Sequence, residues 1–205
     1  MCIRDRAYGE KILPAYLDRY LKEWKEIKDF ELEYPVRNVQ CEGVPISGKL
    51  DKVEILDKKI VNVIDYKTGN YENAKEQLNP PNEKNPKGGD YWRQIVFYKI
   101  LLDADKRNQW DMVSGEMDFV QPNKQTNEFK KVKLAVTPQD VDFVKKQLVV
   151  AYQGIKAHEF NGCNEDDCQW CNFVKSNFQT DVLNLISNEE NEDTPDASSP
   201  DQHIE

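Results

Sequence analysis

Asp51, Asp65 and Lys67 are the residues whose types and spacing could do chemistry. They lie in the stretch Val44–Asn70, which reads as two β-strands, Val44–Leu56 and Ile60–Tyr66, joined by the polar connection Asp57-Lys58-Lys59. Successive side chains of a strand point to opposite faces. Lys49 and Asp51 therefore share a face with Val53 and Ile55, and Asp65 and Lys67 share one with Val61 and Val63. A three-residue hairpin loop pairs Leu56 with Ile60 and sets Asp51 opposite Asp65. Opposed Cβ atoms in an antiparallel pair lie about 4.5–5.5 Å apart, and like charges there repel. Two carboxylates at the end of an apolar face need a cation between them, and hard oxygen ligands suit Mg²⁺. Lys67 sits one pleat further on. The same residues also admit a plainer reading, a surface Asp51–Lys67 ion pair worth less than about 1 kcal/mol.

The elements that must position these groups can be read from periodicity. Residues from Ala7 to Lys28 carry an apolar stripe of Leu13, Leu17, Tyr20, Leu21, Trp24 and Ile27, expected to face the core of a helix. Phe30–Val36 alternates as a first strand, whose Glu31 and Glu33 are expected to face solvent, with a place in a metal site as the alternative. Gly48 allows a backbone or substrate to come close, and Gly69 permits the turn out of the second strand. Residues 73–89 are rich in Asn, Pro, Lys and Gly and read as a long loop, with Lys75, Lys84 and Lys87 able to follow a phosphate backbone. Asp90–Asp103 reads as a helix with Tyr91, Ile95, Tyr98 and Leu102 on one face. Gln94 and Tyr98 are neighbours on its surface at i and i+4, and Arg93 beside them is a candidate phosphate contact. Met112–Val120 and Glu128–Val136 alternate as further strands. Thr137-Pro138 then supplies an N-cap and a first-turn proline for a last helix that buries Val141, Val144, Leu148, Ala151 and Ile155. His158 ends that helix and is not expected to be a ligand.

With 205 residues, 39% hydrophobic and 32% charged, the chain has one domain's worth of core. No apolar run approaches a membrane span and no secretory signal is visible, so a cytoplasmic location is the default expectation. The net charge of −9 is unevenly spread: eight acidic residues and no Lys or Arg follow Lys175, and without them the charge is about −1. Residues 179–205 read as an acidic, disordered tail. Residues 1–6 match the translation of a common sequencing adapter and are expected to be non-native, with the true upstream sequence missing. Residues 7–178 are then the folded domain. Cys163, Cys168 and Cys171 fall within nine residues. Thiols so close suggest a structural metal site, Zn²⁺ or an iron–sulfur cluster, needing a fourth ligand. The alternative is three reduced cysteines in a closing loop.

Three motifs carry a resemblance. Gly48-Lys49-Leu50-Asp51, then Asp65-Tyr66-Lys67, then Gln94-Ile95-Val96-Phe97-Tyr98 resemble the PD-(D/E)XK nuclease superfamily. Within it they are most similar to the RecB-type nuclease module at the C-terminal end of UvrD/Rep-like ATP-dependent DNA helicases. The resemblance implies an α/β, restriction-endonuclease-like fold with a mixed central sheet flanked by helices. It implies Mg²⁺- or Mn²⁺-dependent hydrolysis of DNA phosphodiester bonds, on single strands or strand ends. Asp51, Asp65 and the Tyr66 carbonyl would hold the metal, Lys67 would act beside it, and Gln94 and Tyr98 would contact the carboxylates or the nucleic acid. A helicase motor in recombination and repair is the implied partner. Relatives of the AddB type staple the domain with an iron–sulfur cluster, and Cys41 is the upstream candidate here, although the spacing departs from theirs. Members of the resembled family usually carry a metal-binding histidine on a helix upstream of the first strand, whereas this chain has no His before His158. That departure leaves a second reading: a catalytically silent module that binds DNA or scaffolds the helicase. A third is a stand-alone nuclease of the kind used in CRISPR adaptation.

Overall fold

The computed structural model describes residues 3–160, 162, 163 and 165–177. A long helix, α1 (Ile3–Glu26), precedes three strands, β1 (Phe30–Cys41), β2 (Val44–Asp57) and β3 (Ile60–Asn70). A short helix α2 (Tyr71–Ala74) and a 3-10 turn (Lys75–Leu78) lead into α3 (Asp90–Ala104). Strands β4 (Asp111–Gln121) and β5 (Lys130–Leu134) and helix α4 (Pro138–Lys156) follow. The strands form one five-stranded sheet in the order β1-β2-β3-β4-β5. β3 and β4 run parallel, joined through α3, and every other neighbouring pair is antiparallel. This is the expected mixed α/β sheet flanked by helices. The chain divides into two compact units, Met1–Gly154 and Ile155–Glu205. In the second, the described residues include a helix over 169–177. The expected acidic tail lies outside the described residues, and residues 3–6 are part of α1.

Turn chemistry sets the strand register. Glu42 and Gly43 both have positive φ, 50° and 77°, the requirement of a type I′ turn whose twist matches the flanking strands. Between β2 and β3 the turn is Lys58-Lys59, because Asp57 pairs with Ile60. The expected three-residue loop is therefore corrected to two residues, with Leu56 as an extra, bulged residue. The bulge restores the register: Ile55 pairs with Val61, Val53 with Val63 and Lys52 with Ile64. The pairing ends at Lys52–Ile64; its continuation by one step would set Asp51 level with Asp65, and the Tyr66 N–H donates to Asp51 Oδ2 at 3.1 Å.

Helix α3 crosses the sheet where glycine clears a path for it. A Cβ on Gly48 of β2 would lie 2.5 Å from Leu101 Cδ1, and one on Gly115 of β4 would collide with Ile95. The space at Gly48 is thus filled by α3. These two close approaches press the helix onto β3 between them. Trp92, Ile95, Val96, Tyr98, Ile100, Leu101 and Leu102 are all buried, so α3 is apolar nearly all round rather than along one face.

Two expected core stripes differ from the structure. On α1, Tyr16 and Tyr20 are buried while Leu13, Leu17 and Leu21 are exposed by 50%, 45% and 36%. Of the expected stripe, Tyr20 is buried and Trp24 half-buried; Tyr16 joins them in place of the leucines, and these rings pack on each other and on Phe129. On α4, Val144 is buried and Val141 and Leu148 are partly so, but Ala151 and Ile155 are exposed. Its start follows expectation: Thr137 Oγ1 accepts from the Asp140 N–H at 3.2 Å, and Asp140 Oδ2 accepts from the Thr137 N–H at 2.9 Å. That reciprocal pair is a capping box with Asp in place of Glu. His158 follows the helix in a left-handed conformation.

Candidate active site

Asp51 on β2, Asp65 and Lys67 on β3, and Gln94 and Tyr98 on α3 form one connected group. Asp65 is 3% exposed, a burial that a carboxylate tolerates only when its oxygens are satisfied. Its Oδ1 accepts from the Tyr98 hydroxyl at 2.5 Å and from Gln94 Nε2 at 2.9 Å. Its Oδ2 pairs with Lys67 Nζ at 2.7 Å. Gln94 closes the ring: its Oε1 accepts from Lys67 Nζ at 2.6 Å, and its Nε2 also donates to Tyr98 Oη at 2.8 Å. Lys67 lies 4.4 Å from the centroid of the Tyr91 ring as well, a cation–π contact that fixes its reach. The i, i+4 spacing of Gln94 and Tyr98 is what allows one helix turn to grip Asp65 and Lys67 together.

Asp51 is held differently. Its Oδ2 accepts the Tyr66 backbone N–H at 3.1 Å, and Oδ1 accepts no hydrogen bond from the described residues. Burial raises its pKa, and the charges of Asp65 and Glu33 push the same way; the Tyr66 N–H and Lys67 oppose them. The repulsion read from the pleat is therefore present. Glu33 sits at the β1 position across from Asp51, between the pairs Leu32–Lys52 and Tyr34–Leu50, with φ of 52°. Its carboxylate is exposed and pairs with Lys49. Tyr98 is shifted strongly upward by burial and by its hydrogen bond to Asp65, so it remains a neutral donor.

None of the candidate phosphate contacts bonds to this group among the described residues. Arg93, the candidate phosphate contact, donates to the carbonyls of Lys87 (3.1 Å) and Gly88 (2.5 Å) and pairs with Asp90. It staples the end of the 73–89 loop to α3. That loop is itself built: Asn82 Oδ1 accepts from the backbone of Lys84 and Asn85, and Gly89 N–H donates to Asn79 O at 2.9 Å. Lys75 pairs with Glu72, whereas Lys87 and Lys84 are exposed. Cys41 is buried at the end of β1, where burial pushes its thiol pKa up. In the second unit the Sγ atoms of Cys163, Cys168 and Cys171 lie within 4.8 Å of one another, with Cys163 and Cys171 3.5 Å apart. The Cys168 thiol is lowered to about 7, chiefly by the Cys171 backbone N–H and then by the neighbouring thiols. These three could share a metal ion.

One charged group was not anticipated. On the other face of the sheet Asp118 is fully buried beside Tyr16, with Lys131 Nζ 3.5 Å from its Oδ2. The signal for it is the β4–β5 register, which pairs Asp118 with Lys131.

No helix among the described residues is long and apolar enough to cross a membrane. A search of curated proteins gave no match. Among solved structures, one titled "Crystal structure of SSO0001" is similar, with 16% identity over 72% of this chain and a TM-score of 0.37. The match spans 64% of that solved chain's length. The family model of the PD-(D/E)XK nuclease superfamily matches residues 3–176, a span containing all five strands, helices α1 to α4 and the group around Asp65. The chain belongs to the PD-(D/E)XK nuclease superfamily.

Proposed function

We propose that this chain is a divalent-metal-dependent deoxyribonuclease module that hydrolyses phosphodiester bonds in DNA fed to it by a helicase motor during recombination or repair. The observation that carries the chemistry is the Lys67–Asp65–Gln94–Tyr98 ring beside an Asp51 whose Oδ1 remains free. The donor set fits Mg²⁺ or Mn²⁺: Asp51 is pushed up by burial and then by the charge of Asp65, a repulsion that a cation bound to both carboxylates would relieve. Asp51, Asp65 and the Tyr66 carbonyl would hold the ion. When bound, it acidifies a water molecule and neutralises charge on the scissile phosphate.

The protein's own groups do the positioning. Gln94 and Tyr98 fix the Asp65 carboxylate in one orientation, and Gln94 fixes the Lys67 ammonium against it. Preorganised groups of this kind cost no reorganisation when charge develops on a phosphate. Lys67 then orients the attacking water or stabilises the pentavalent phosphorane. Sequence preference should be low, because phosphate contacts carry no base information. The RecB-type kinship and the helicase partner rest on the order of the three motifs. In the second unit, the three thiols would hold Zn²⁺ or an iron–sulfur cluster as a structural staple.

A silent module is the second reading. It is favoured by the absence of a His before His158 and by an Asp65 whose oxygens Lys67, Tyr98 and Gln94 already satisfy. Cleavage of labelled single-stranded DNA with Mg²⁺ or Mn²⁺ separates the two. The nuclease gives metal-dependent cleavage that falls about 10²–10³-fold or more in Asp65→Ala and Lys67→Ala. A folded chain that binds the DNA and never cuts it is the silent module.

A further inference from the structure

The C-terminal ends of β3 and β4 lie side by side, with Asn70 paired to Gln121. Between them and the chain that leaves β4 is a cleft of about 490 Å³, lined by Asn70, Asn73, Gln121, Asn123, Lys124 and Gln125 together with Glu72. A second cavity of about 260 Å³ shares Asn70, Gln121 and Asn123 and adds Tyr71, Phe129 and Lys130. Asn70 stands three residues, roughly 10 Å, beyond Lys67 along β3.

The lining divides into walls and contacts. Asn70 Oδ1 accepts from the Glu72 N–H at 2.8 Å and its Nδ2 donates to Pro122 O at 3.3 Å. Asn123 Oδ1 accepts from the backbone of Gln125 and Thr126 at 2.8 and 3.1 Å. Those two amides hold the cleft open. The side chains of Asn73, Lys124 and Gln125 are exposed on it and make no hydrogen bond to the described residues. A carboxamide offers donor and acceptor side by side, the pattern of a nucleobase edge and not of a phosphate. Of the two acidic groups nearby, Glu72 is already paired with Lys75; Glu128 lies further along, beside Phe129 and Lys130.

An aromatic path joins this cleft to the catalytic group. Lys67 lies over Tyr91, Tyr91 contacts Phe119 at 6.2 Å, and Phe119 contacts Tyr71 at 5.6 Å. The half-buried Tyr71 ring has Lys75 and Lys130 at 5.3 and 5.5 Å from its centroid. Lys75 stays paired with Glu72, and Lys130, with no ion pair among the described residues, would swing from the ring to a phosphate of a strand whose unpaired base stacks there.

We propose that this cleft is the seat of the unpaired bases of a DNA strand next to the bond being cut, with Tyr71 stacking on one base and Asn73 and Gln125 bonding to a base edge. This rests on the nuclease reading and adds where the strand runs and why it must be single. A duplex keeps its base faces stacked and has none to offer Tyr71.

The test is fluorescence anisotropy of a labelled oligodeoxythymidylate in EDTA, where nothing is cut, with circular dichroism to establish folding. Tyr71→Ala weakens single-strand binding about tenfold, and Asn73→Ala combined with Gln125→Ala weakens it several-fold without touching the Phe119 packing. The same sequence as a duplex binds more weakly and does not respond to either variant. Three results overturn the proposal: no single-strand binding by the wild-type chain, binding unchanged in both variants, or a preference for duplex. Because the readout needs no cleavage, a chain that never cuts but shows the Tyr71 effect loses the nuclease reading and keeps this one. A chain that cuts normally with both variants silent does the opposite.

Discussion

The two faces of the central sheet carry the same pair of residue types with opposite outcomes. Asp65 and Tyr66 are consecutive on β3, so one faces α3 and the other the opposite side. On the α3 face, buried Asp65 meets Lys67 at 2.7 Å and takes two further hydrogen bonds from Tyr98 and Gln94. On the other face, fully buried Asp118 meets Lys131 at 3.5 Å, and neither of its oxygens has a well-formed hydrogen bond. Burial raises the Asp118 pKa, with Tyr16 and Lys131 pulling against it. Lys131 is shared with Glu23 and Glu116 and lies 4.0 Å from the Tyr20 ring centroid. The proposed chemistry would need what the α3 face adds to the Asp–Lys pair: a helix whose donors fix it, and the Asp51 carboxylate beside it. Without those, the pair is a buried charge and its partner.

The largest expected effect that breaks this symmetry is Lys131→Met. Removing one partner of a buried pair leaves an uncompensated charge, at a cost of about 3–5 kcal/mol. Urea unfolding should show that loss, and Asp118→Asn in the same chain should recover most of it. Cleavage per folded molecule should not change in the double variant. A Lys131→Met chain as stable as wild type would mean that Asp118 is already protonated in the folded state.

Next comes Gln94→Ala on the α3 face. It removes the hydrogen bonds to Lys67, Asp65 and Tyr98 at once but buries no orphaned charge, because Lys67 keeps Asp65 and Tyr91. Hydrogen bonds to charged groups are worth about 1.5–3 kcal/mol, so kcat should fall about 10–100-fold. KM should hardly move, since Gln94 acts by positioning Lys67 and Asp65. A rise in KM alone would make Gln94 a nucleic-acid contact instead.

The α3 face was legible in the sequence because its parts are local. Asp65 and Lys67 share a pleat, Gln94 and Tyr98 share a helix turn, and the Asp51–Asp65 register survived a wrong loop length because the Leu56 bulge absorbed the extra residue. The other face was illegible for the same reason inverted. Asp118 and Lys131 meet only through the β4–β5 register. On α1, periodicity merged two adjacent apolar stripes: Tyr20 and Trp24 turn inward with Tyr16, while Leu13, Leu17 and Leu21 stay exposed. The sheet surface beneath is charged, and tyrosine can lay an apolar ring against it with a hydroxyl at its end. Arg93 shows a third limit: sequence marks a cation beside Gln94, but not that its guanidinium also binds the carbonyls of Lys87 and Gly88.

The smallest expected effect is Asp51→Asn, and its sign sharpens the contrast. The folded state raises the Asp51 pKa, by burial first and then by Asp65 and Glu33. A carboxyl whose folded pKa lies above its unfolded value of about 3.9 favours the fold only when protonated. That contribution is complete below the unfolded value and is lost as pH rises through the folded one. At neutral pH the ionised Asp51 therefore works against folding, and Asn should raise Tm by about 1–2 °C, a gain that disappears below pH of about 4. Divalent metal should reverse the ranking if Asp51 binds it. Anything that binds the folded chain alone stabilises it, so Mg²⁺ should raise the Tm of wild type and leave Asp51→Asn where it was. A thermal shift series with and without Mg²⁺ at two pH values reads both. If Asn lowers Tm at neutral pH, the Tyr66 N–H bond outweighs the repulsion, and Asp51 is held by the protein rather than kept ready for a cation.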